Sequence, residues 1–179
     1  MKSFVYTATV LGALALVSGT AAADSLGEKG QIALSSDINI TIKSVKSDVD
    51  GSESQTDIII APGADYFLAP NLSVGGILRY DDVDSSGYKA YGAGARVGYV
   101  IGLGKISIWP RAGLSLINLD TGDEGHLYFT VGAFAPLLFH PVDHFFIGLG
   151  PEINYDVYAS DDAPQITELG VTSVVGGYF

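Results

Sequence analysis

The sequence predicts an all-β chain that closes as an eight-stranded antiparallel up-and-down transmembrane β-barrel. Three observations predict it. Eight segments alternate apolar with polar or small residues at period two. The connections between them alternate short and long. The last segment, from Leu169 to Phe179, keeps the alternation and closes on Tyr178 and Phe179, an aromatic ending suited to a barrel sealed in a bacterial outer membrane.

Breaking the chain at turn chemistry places the segments at Gln31–Lys43, Gln55–Leu68, Asn71–Asp81, Tyr88–Ile101, Lys105–Asn118, His126–Phe139, Asp143–Asp156 and Gln165–Phe179. An even number is what a single-chain bacterial barrel requires. Ala69-Pro70, Gly102-Leu103-Gly104 and His140-Pro141-Val142 read as tight turns. Ser44–Ser54, Asp82–Gly87, Leu119–Gly125 and Val157–Pro164 are longer and acidic. Short turns at one end and long loops at the other are the outer-membrane arrangement, with both chain ends on the short-turn, periplasmic side.

Each segment carries two faces. In the first, Ile32, Leu34, Ile38, Ile40 and Ile42 oppose Gln31, Ala33, Ser35, Asp37, Asn39 and Thr41. In the fifth, Ile106, Ile108, Pro110, Ala112, Leu114 and Leu116 oppose Ser107, Trp109, Arg111, Gly113 and Ser115. In the seventh, Phe145, Ile147, Leu149, Pro151, Ile153 and Tyr155 oppose Phe146, Gly148, Gly150, Glu152 and Asn154. The fourth decides which face is inside. Its Ala90, Gly92, Gly94, Arg96 and Gly98 suit a lumen only just wide enough for side chains, so the larger apolar residues face lipid. About ten residues per strand, at roughly 3.3 Å each and tilted about 40°, cover an apolar band of about 25 Å. Aromatics are expected in two girdles: Tyr66, Phe67, Tyr99, Phe139, Phe145 and Phe179 at the short-turn edge, and Tyr80, Tyr88, Tyr128, Phe129, Tyr155 and Tyr158 at the loop edge.

Residues 1–23 read as a secretory signal peptide: Lys2, a short apolar run from Val10 to Val17, and Ala21-Ala22-Ala23 before Asp24. The expected barrel domain is therefore 24–179, exported and cleaved near Ala23. Hydrophobic residues make up 47% and charged residues 16%, yet no window after the leader reaches the roughly 20 apolar residues of a helical span. There is no cysteine, which removes disulfides, thiolate metal sites, thiol catalysis and lipid attachment through an N-terminal Cys. The net charge of −11 argues against nucleic acid as a partner, because phosphate binding needs a basic face.

The stretch Ile58-Ile-Ile-Ala-Pro62-Gly-Ala-Asp-Tyr66-Phe67-Leu-Ala-Pro70-Asn71-Leu72-Ser-Val-Gly75-Gly76 resembles small Gram-negative outer-membrane β-barrel domain proteins of the eight-stranded, OmpA/OmpX-like type. Arg96-Val-Gly98-Tyr99 and Gly148-Leu-Gly150-Pro151 are similar to further strands of that family. The terminal Gly176-Gly-Tyr178-Phe179 resembles the signal that the barrel assembly machinery recognises. The resemblance implies a barrel over nearly the whole exported chain, without the added peptidoglycan-binding domain of two-domain members. It implies little about function.

Three groups of residues carry the chemistry. Arg79, Arg96 and Arg111 face inward on successive strands, and Asp37, Asp65 and Glu152 face inward on others. Unpaired charge in a narrow lumen is costly, so Arg–carboxylate pairs are expected, either as a polar core that fills the barrel or as a gated ion pathway. Trp109, Phe134, Phe146 and Tyr178, also inward, argue against an open pore. Asp48, Asp50, Glu53, Asp81, Asp82, Asp84, Asp120, Asp123, Glu124, Asp161 and Asp162 make the loop end acidic. They read as solvated loops or as divalent-cation ligands at the lipopolysaccharide surface; Asp82-Val-Asp84-Ser-Ser-Gly87 matches a calcium loop only loosely. His126 with Glu124 and a loop serine loosely imitates the catalytic rim of barrel lipid hydrolases, but no Ser stands in a motif beside it.

The expected function is thus a non-enzymatic outer-membrane barrel with a structural or surface-interaction role. The alternative is a narrow porin-like channel or small-ligand carrier. No cofactor is expected. The expected partners are outer-membrane lipid and lipopolysaccharide, the assembly machinery, and divalent cations at the acidic loops.

Overall fold

The computed structural model describes residues 25–45, 53–83, 88–120, 125–159 and 167–179. The expected leader and most of the long connections lie outside them. The strands are β1 (Ile32–Val45), β2 (Glu53–Ala69), β3 (Leu72–Val83), β4 (Tyr88–Tyr99), β5 (Ile101–Gly102), β6 (Ile106–Ile108), β7 (Arg111–Asp120), β8 (Gly125–Phe134), β9 (Leu137–Phe139), β10 (Phe145–Ala159) and β11 (Thr167–Tyr178). The antiparallel ladder runs β11-β1-β2-β3-β4-β7-β8-β10, and β10 pairs with β11 to close it. The short β5, β6 and β9 prolong β4, β7 and β8 toward the short-turn end, where they pair with one another and with β10. The wall therefore has eight staves, and closure leaves no sheet edge.

Three staves are broken where the sequence pattern runs straight through, one at Val100, whose N–H turns to Asn71 O at 2.8 Å, and two at prolines. The proline interruptions fall at Trp109-Pro110 and Ala135-Pro136, and proline has no N–H to give the ladder. The staves stay joined there: Tyr99 N–H donates to Pro110 O at 3.0 Å, Trp109 N–H to Pro136 O at 3.1 Å, and Ala135 N–H to Pro151 O at 3.0 Å.

The turn at Pro70-Asn71 has Asn71 at φ 66°, a left-handed value that asparagine tolerates. Both described chain ends meet at this short-turn end. Phe179 and Ile32 exchange backbone hydrogen bonds of 2.9 and 3.0 Å. Residues 25–31 fold across the opening: Asn71 N–H donates to Gly27 O at 2.7 Å, Gly30 N–H to Phe67 O at 2.8 Å, and the buried Gln31 accepts from Gly27 N–H at 2.8 Å. Leu26 is pushed into the core. The sequence pattern, which begins its first strand at Gln31, does not foresee this cap.

The faces follow period two. Leu78, Leu114, Leu116, Leu149 and Val171 point outward and are half or more exposed, whereas Ala33, Asp65, Trp109 and Phe146 point inward and are buried. That apolar exterior has its place against lipid. Tyr66, Tyr99 and Phe139 stand outward at the short-turn end, and Tyr91, Tyr155 and Tyr158 near the loop end. Phe67 and Tyr128, expected in the girdles, are instead buried inside. Each adjoins an outward-facing girdle residue in the chain, and neighbours on a strand point to opposite faces.

Candidate functional site: the barrel interior

The lumen is built in levels. Nearest the short turns is an aromatic layer. Trp109 is fully buried, stacks on Phe67 at 6.0 Å between ring centres, and meets the edge of Phe146 at 5.9 Å. Its indole N–H donates to Ser73 Oγ at 3.3 Å. Leu138, Val174 and Tyr178 complete the plug. Gly176 is required here, since a Cβ at that position would overlap the Phe146 ring and the Leu34 carbonyl.

Directly above lies a charged layer. Arg96 donates to Asp65, with a closest approach of 2.6 Å, to Asp37 at 3.1 Å and to Ser35 Oγ at 2.9 Å. Arg111 donates to the other oxygen of Asp37 at 2.8 Å. Asp37 thus bridges two arginines, and all four side chains are almost wholly withdrawn from solvent. The strand register explains how Arg96 reaches Asp65. Asp65, Gly75 and Arg96 lie in one row across β2, β3 and β4, and a Cβ on Gly75 would overlap the Asp65 carboxylate. The Arg111 guanidinium also sits 4.8 Å from the ring centres of both Trp109 and Phe134, which ties the two layers together.

Arg79 and Glu152 stand apart from this cluster. Arg79 pairs with Asp81 at 2.9 Å, two residues along its own stave, and lies 3.7 Å from Glu168. Glu152 accepts from Asn154 at 3.2 Å and, in a short contact, from the Thr172 hydroxyl. Both residues border a cavity of about 580 Å³ above the charged layer. A smaller space of about 120 Å³ shares Arg79, Asn154 and Glu168 with it and extends toward Asp81, Thr130 and Asp156. The lumen is therefore filled in its short-turn half, while in its loop half the cavity lies below a smaller apolar cluster of Ala90, Ile117 and Tyr128.

At the short-turn end the Ser107 hydroxyl lies 2.8 Å from His140 Nε2. Burial pushes the His140 imidazole below its ordinary pKa. The unfolded chain therefore takes up this proton at higher pH than the folded chain. Stability is expected to decline as pH falls through the ordinary histidine value, about 6.5, toward the lower folded one. His140→Gln should flatten that part of the profile in urea titrations; an unchanged slope would contradict the assignment.

Among the acidic loop residues, Asp48, Asp50, Asp84, Asp123, Glu124, Asp161 and Asp162 lie outside the described residues, and with Glu124 goes the proposed pairing with His126. Asp81 is a buried stave residue rather than a loop ligand. Among the described residues, no group of three or more His, Cys, Asp or Glu could hold a metal ion.

A closed wall of eight staves, apolar outside and packed with paired charge and aromatics inside, defines a transmembrane β-barrel. The chain is similar in fold to the crystal structure of Neisserial surface protein A, with a TM-score of 0.50 and 14% identity over 84% of this chain and 96% of that one. No family model and no curated protein sequence matches.

Proposed function

We propose that this protein is a non-enzymatic barrel of a bacterial outer membrane that acts through its loop end, in a structural or surface-interaction role. The observation that carries the reading is the pair of layers across the lumen: Trp109, Phe67 and Phe146 below, and Arg96, Arg111, Asp37 and Asp65 above. Side chains packed in this way leave no water column for ions, which disfavours the narrow-channel alternative. The leader read over 1–23, the lipid-facing band and the likeness to a Neisserial surface protein support the location. The acidic connections read in the sequence suit contact with lipopolysaccharide through divalent cations. In planar bilayers the purified barrel is expected to be silent. A steady single-channel current would overturn the sealed reading in favour of the channel.

Tyr178 and Phe179 are proposed as the assembly signal. Tyr178 is buried in the plug, whereas Phe179 is partly buried and adds a backbone pair with Ile32 to the closed wall. Deleting Phe179 is expected to reduce insertion in cells more than it reduces the stability of barrels already folded. Equal insertion of the truncated chain would refute the assignment.

A further inference from the structure

We propose that the wall has a lateral slot between β1 and β11, in its loop half, and that an acyl chain of the surrounding bilayer lies in it and so reaches the lumen. Each stave has a neighbour on either side, but this seam is paired over only part of its length. The β1–β11 ladder runs from Ala33–Tyr178 to Ile38–Ser173 and stops. Both strands go on. β1 stays on β2 as far as the Val45–Glu53 pair, and β11 stays on β10 as far as the Tyr155–Thr167 pair. The same register would set Asn39 opposite Thr172 and Ser44 opposite Thr167, and those pairs are not made.

The surroundings of β11 change at the same level. From Thr172 to Tyr178 its burial alternates, whereas from Thr167 to Val171 every residue is exposed, on both faces of the strand. Leu169, at 79%, is the most exposed large apolar residue among those described. Gly170 faces inward, yet a Cβ built on it meets nothing within 4 Å; at the other inward glycines of the described staves a Cβ would come within 3.1 Å of a neighbour.

The slot lies at membrane depth. Thr167 pairs with Tyr155 of the loop-end girdle, and Leu169 and Val171 lie opposite Ile153 and Pro151 in the apolar band below it. Behind the slot is the loop-half cavity, lined by Thr167 to Gly170, by Thr172 and, across the seam, by Asp37. A strand edge presents unpaired N–H and C=O groups, and such backbone is tolerated within a membrane only where it borders protein or a water-filled cavity. The slot thus has the cavity behind it and acyl chains in front. Its lips are Leu169 and Val171, and Gly170 between them takes no room, so an extended alkyl chain fits where a paired strand is missing. The chain needs no polar partner, and the ion pairs of the lumen stay as they are. The proposal rests on the outer-membrane reading and adds a ligand class to it: an amphiphile whose alkyl chain enters from the lipid side, not through the loops.

The test places a reporter in the slot. In a Trp109→Phe background, Gly170→Trp puts the chain's only indole at an inward position of β11. In vesicles it is expected to lose emission to brominated acyl chains about as strongly as Leu78→Trp in the same background, although position 78 faces outward and position 170 inward. Quenching of Gly170→Trp no stronger than that of the parent's Trp109 would overturn the proposal, and so would quenching by aqueous iodide alone. Escape of Leu78→Trp as well would overturn the membrane reading on which the slot depends; escape of Gly170→Trp alone overturns the slot only. A second measurement needs no large side chain. The chain has no cysteine, so engineered pairs are unambiguous. Ser36→Cys with Val175→Cys, opposite each other in the ladder, should oxidise to a disulfide, because paired strand residues lie within its span. Ile40→Cys with Val171→Cys, four residues farther along the same register, should not. Equal cross-linking of the two pairs would show a closed seam and overturn the slot.

Discussion

Replacing Arg96 by alanine is expected to lower the stability of the folded barrel by about 3–5 kcal/mol, the cost of leaving a buried carboxylate without its partner. Asp65 is fully buried, and Arg96 is the cation it meets, through both its Nε and Nη2. Asp37 keeps Arg111 after the change, so the loss concentrates on Asp65. The orphaned charge makes a second, sharper expectation. The double variant Arg96→Ala/Asp65→Ala removes both members of the pair and should be milder than Arg96→Ala alone, because no buried charge then lacks a counterion. Urea unfolding of the barrel in lipid vesicles, followed by the gel shift, measures both. Additive losses, or an Arg96→Ala barrel as stable as the parent, would show that these charges do not depend on each other. Arg111→Ala should also lower stability, by less, since Asp37 retains Arg96.

Trp109→Ala should cost a similar amount, about 3–5 kcal/mol, as truncations of fully buried tryptophan do. The indole fills the centre of the plug between Phe67 and Phe146, donates to Ser73, and faces the Arg111 guanidinium. Its removal opens a void flanked by backbone that cannot collapse, because the closed ladder fixes the distances between staves. The variant is therefore expected to unfold at lower urea in vesicles than the parent. Trp109→Phe should recover much of the difference, because the ring contacts survive and only the hydrogen bond to Ser73 is lost. A loss below about 1 kcal/mol for the alanine variant would mean that the plug is loosely packed.

The wall was legible in the sequence because membrane barrels are written at period two. One parity decides the inside of each stave, and glycines opposite large apolar residues on Tyr88–Ile101 decided which parity it was. Partners across the lumen were less legible. Parity shows that Arg96, Arg111, Asp37 and Asp65 face in, but contact between residues 31 to 74 positions apart depends on the stagger of neighbouring staves. The Arg79–Asp81 pair could have been found, since two residues along one strand share a face. Parity alone groups Glu152 with the arginines, whereas its bonds go to Asn154 and Thr172. The prolines at 110 and 136 are visible punctuation, yet the apolar alternation continues across them and hides the breaks. The cavity had no positive signal, being made of side chains that are absent, such as that of Gly170. The cap formed by residues 25–31 lacks periodicity, and its cues are the positive-φ glycines Gly27 and Gly30.

The chain has a single tryptophan, and it stands at the centre of the sealed lumen. Fluorescence quenching of Trp109 in vesicles therefore tests the account most directly. Iodide in the aqueous phase should leave Trp109 unquenched. Brominated acyl chains should quench it far less than a tryptophan placed at the outward, lipid-facing position by Leu78→Trp in a Trp109→Phe background. Strong iodide quenching would mean a water-filled lumen. Acyl-chain quenching equal to that at position 78 would mean that the faces of the staves are reversed. Either result would contradict a barrel closed from within by Trp109 and the arginine–aspartate layer above it.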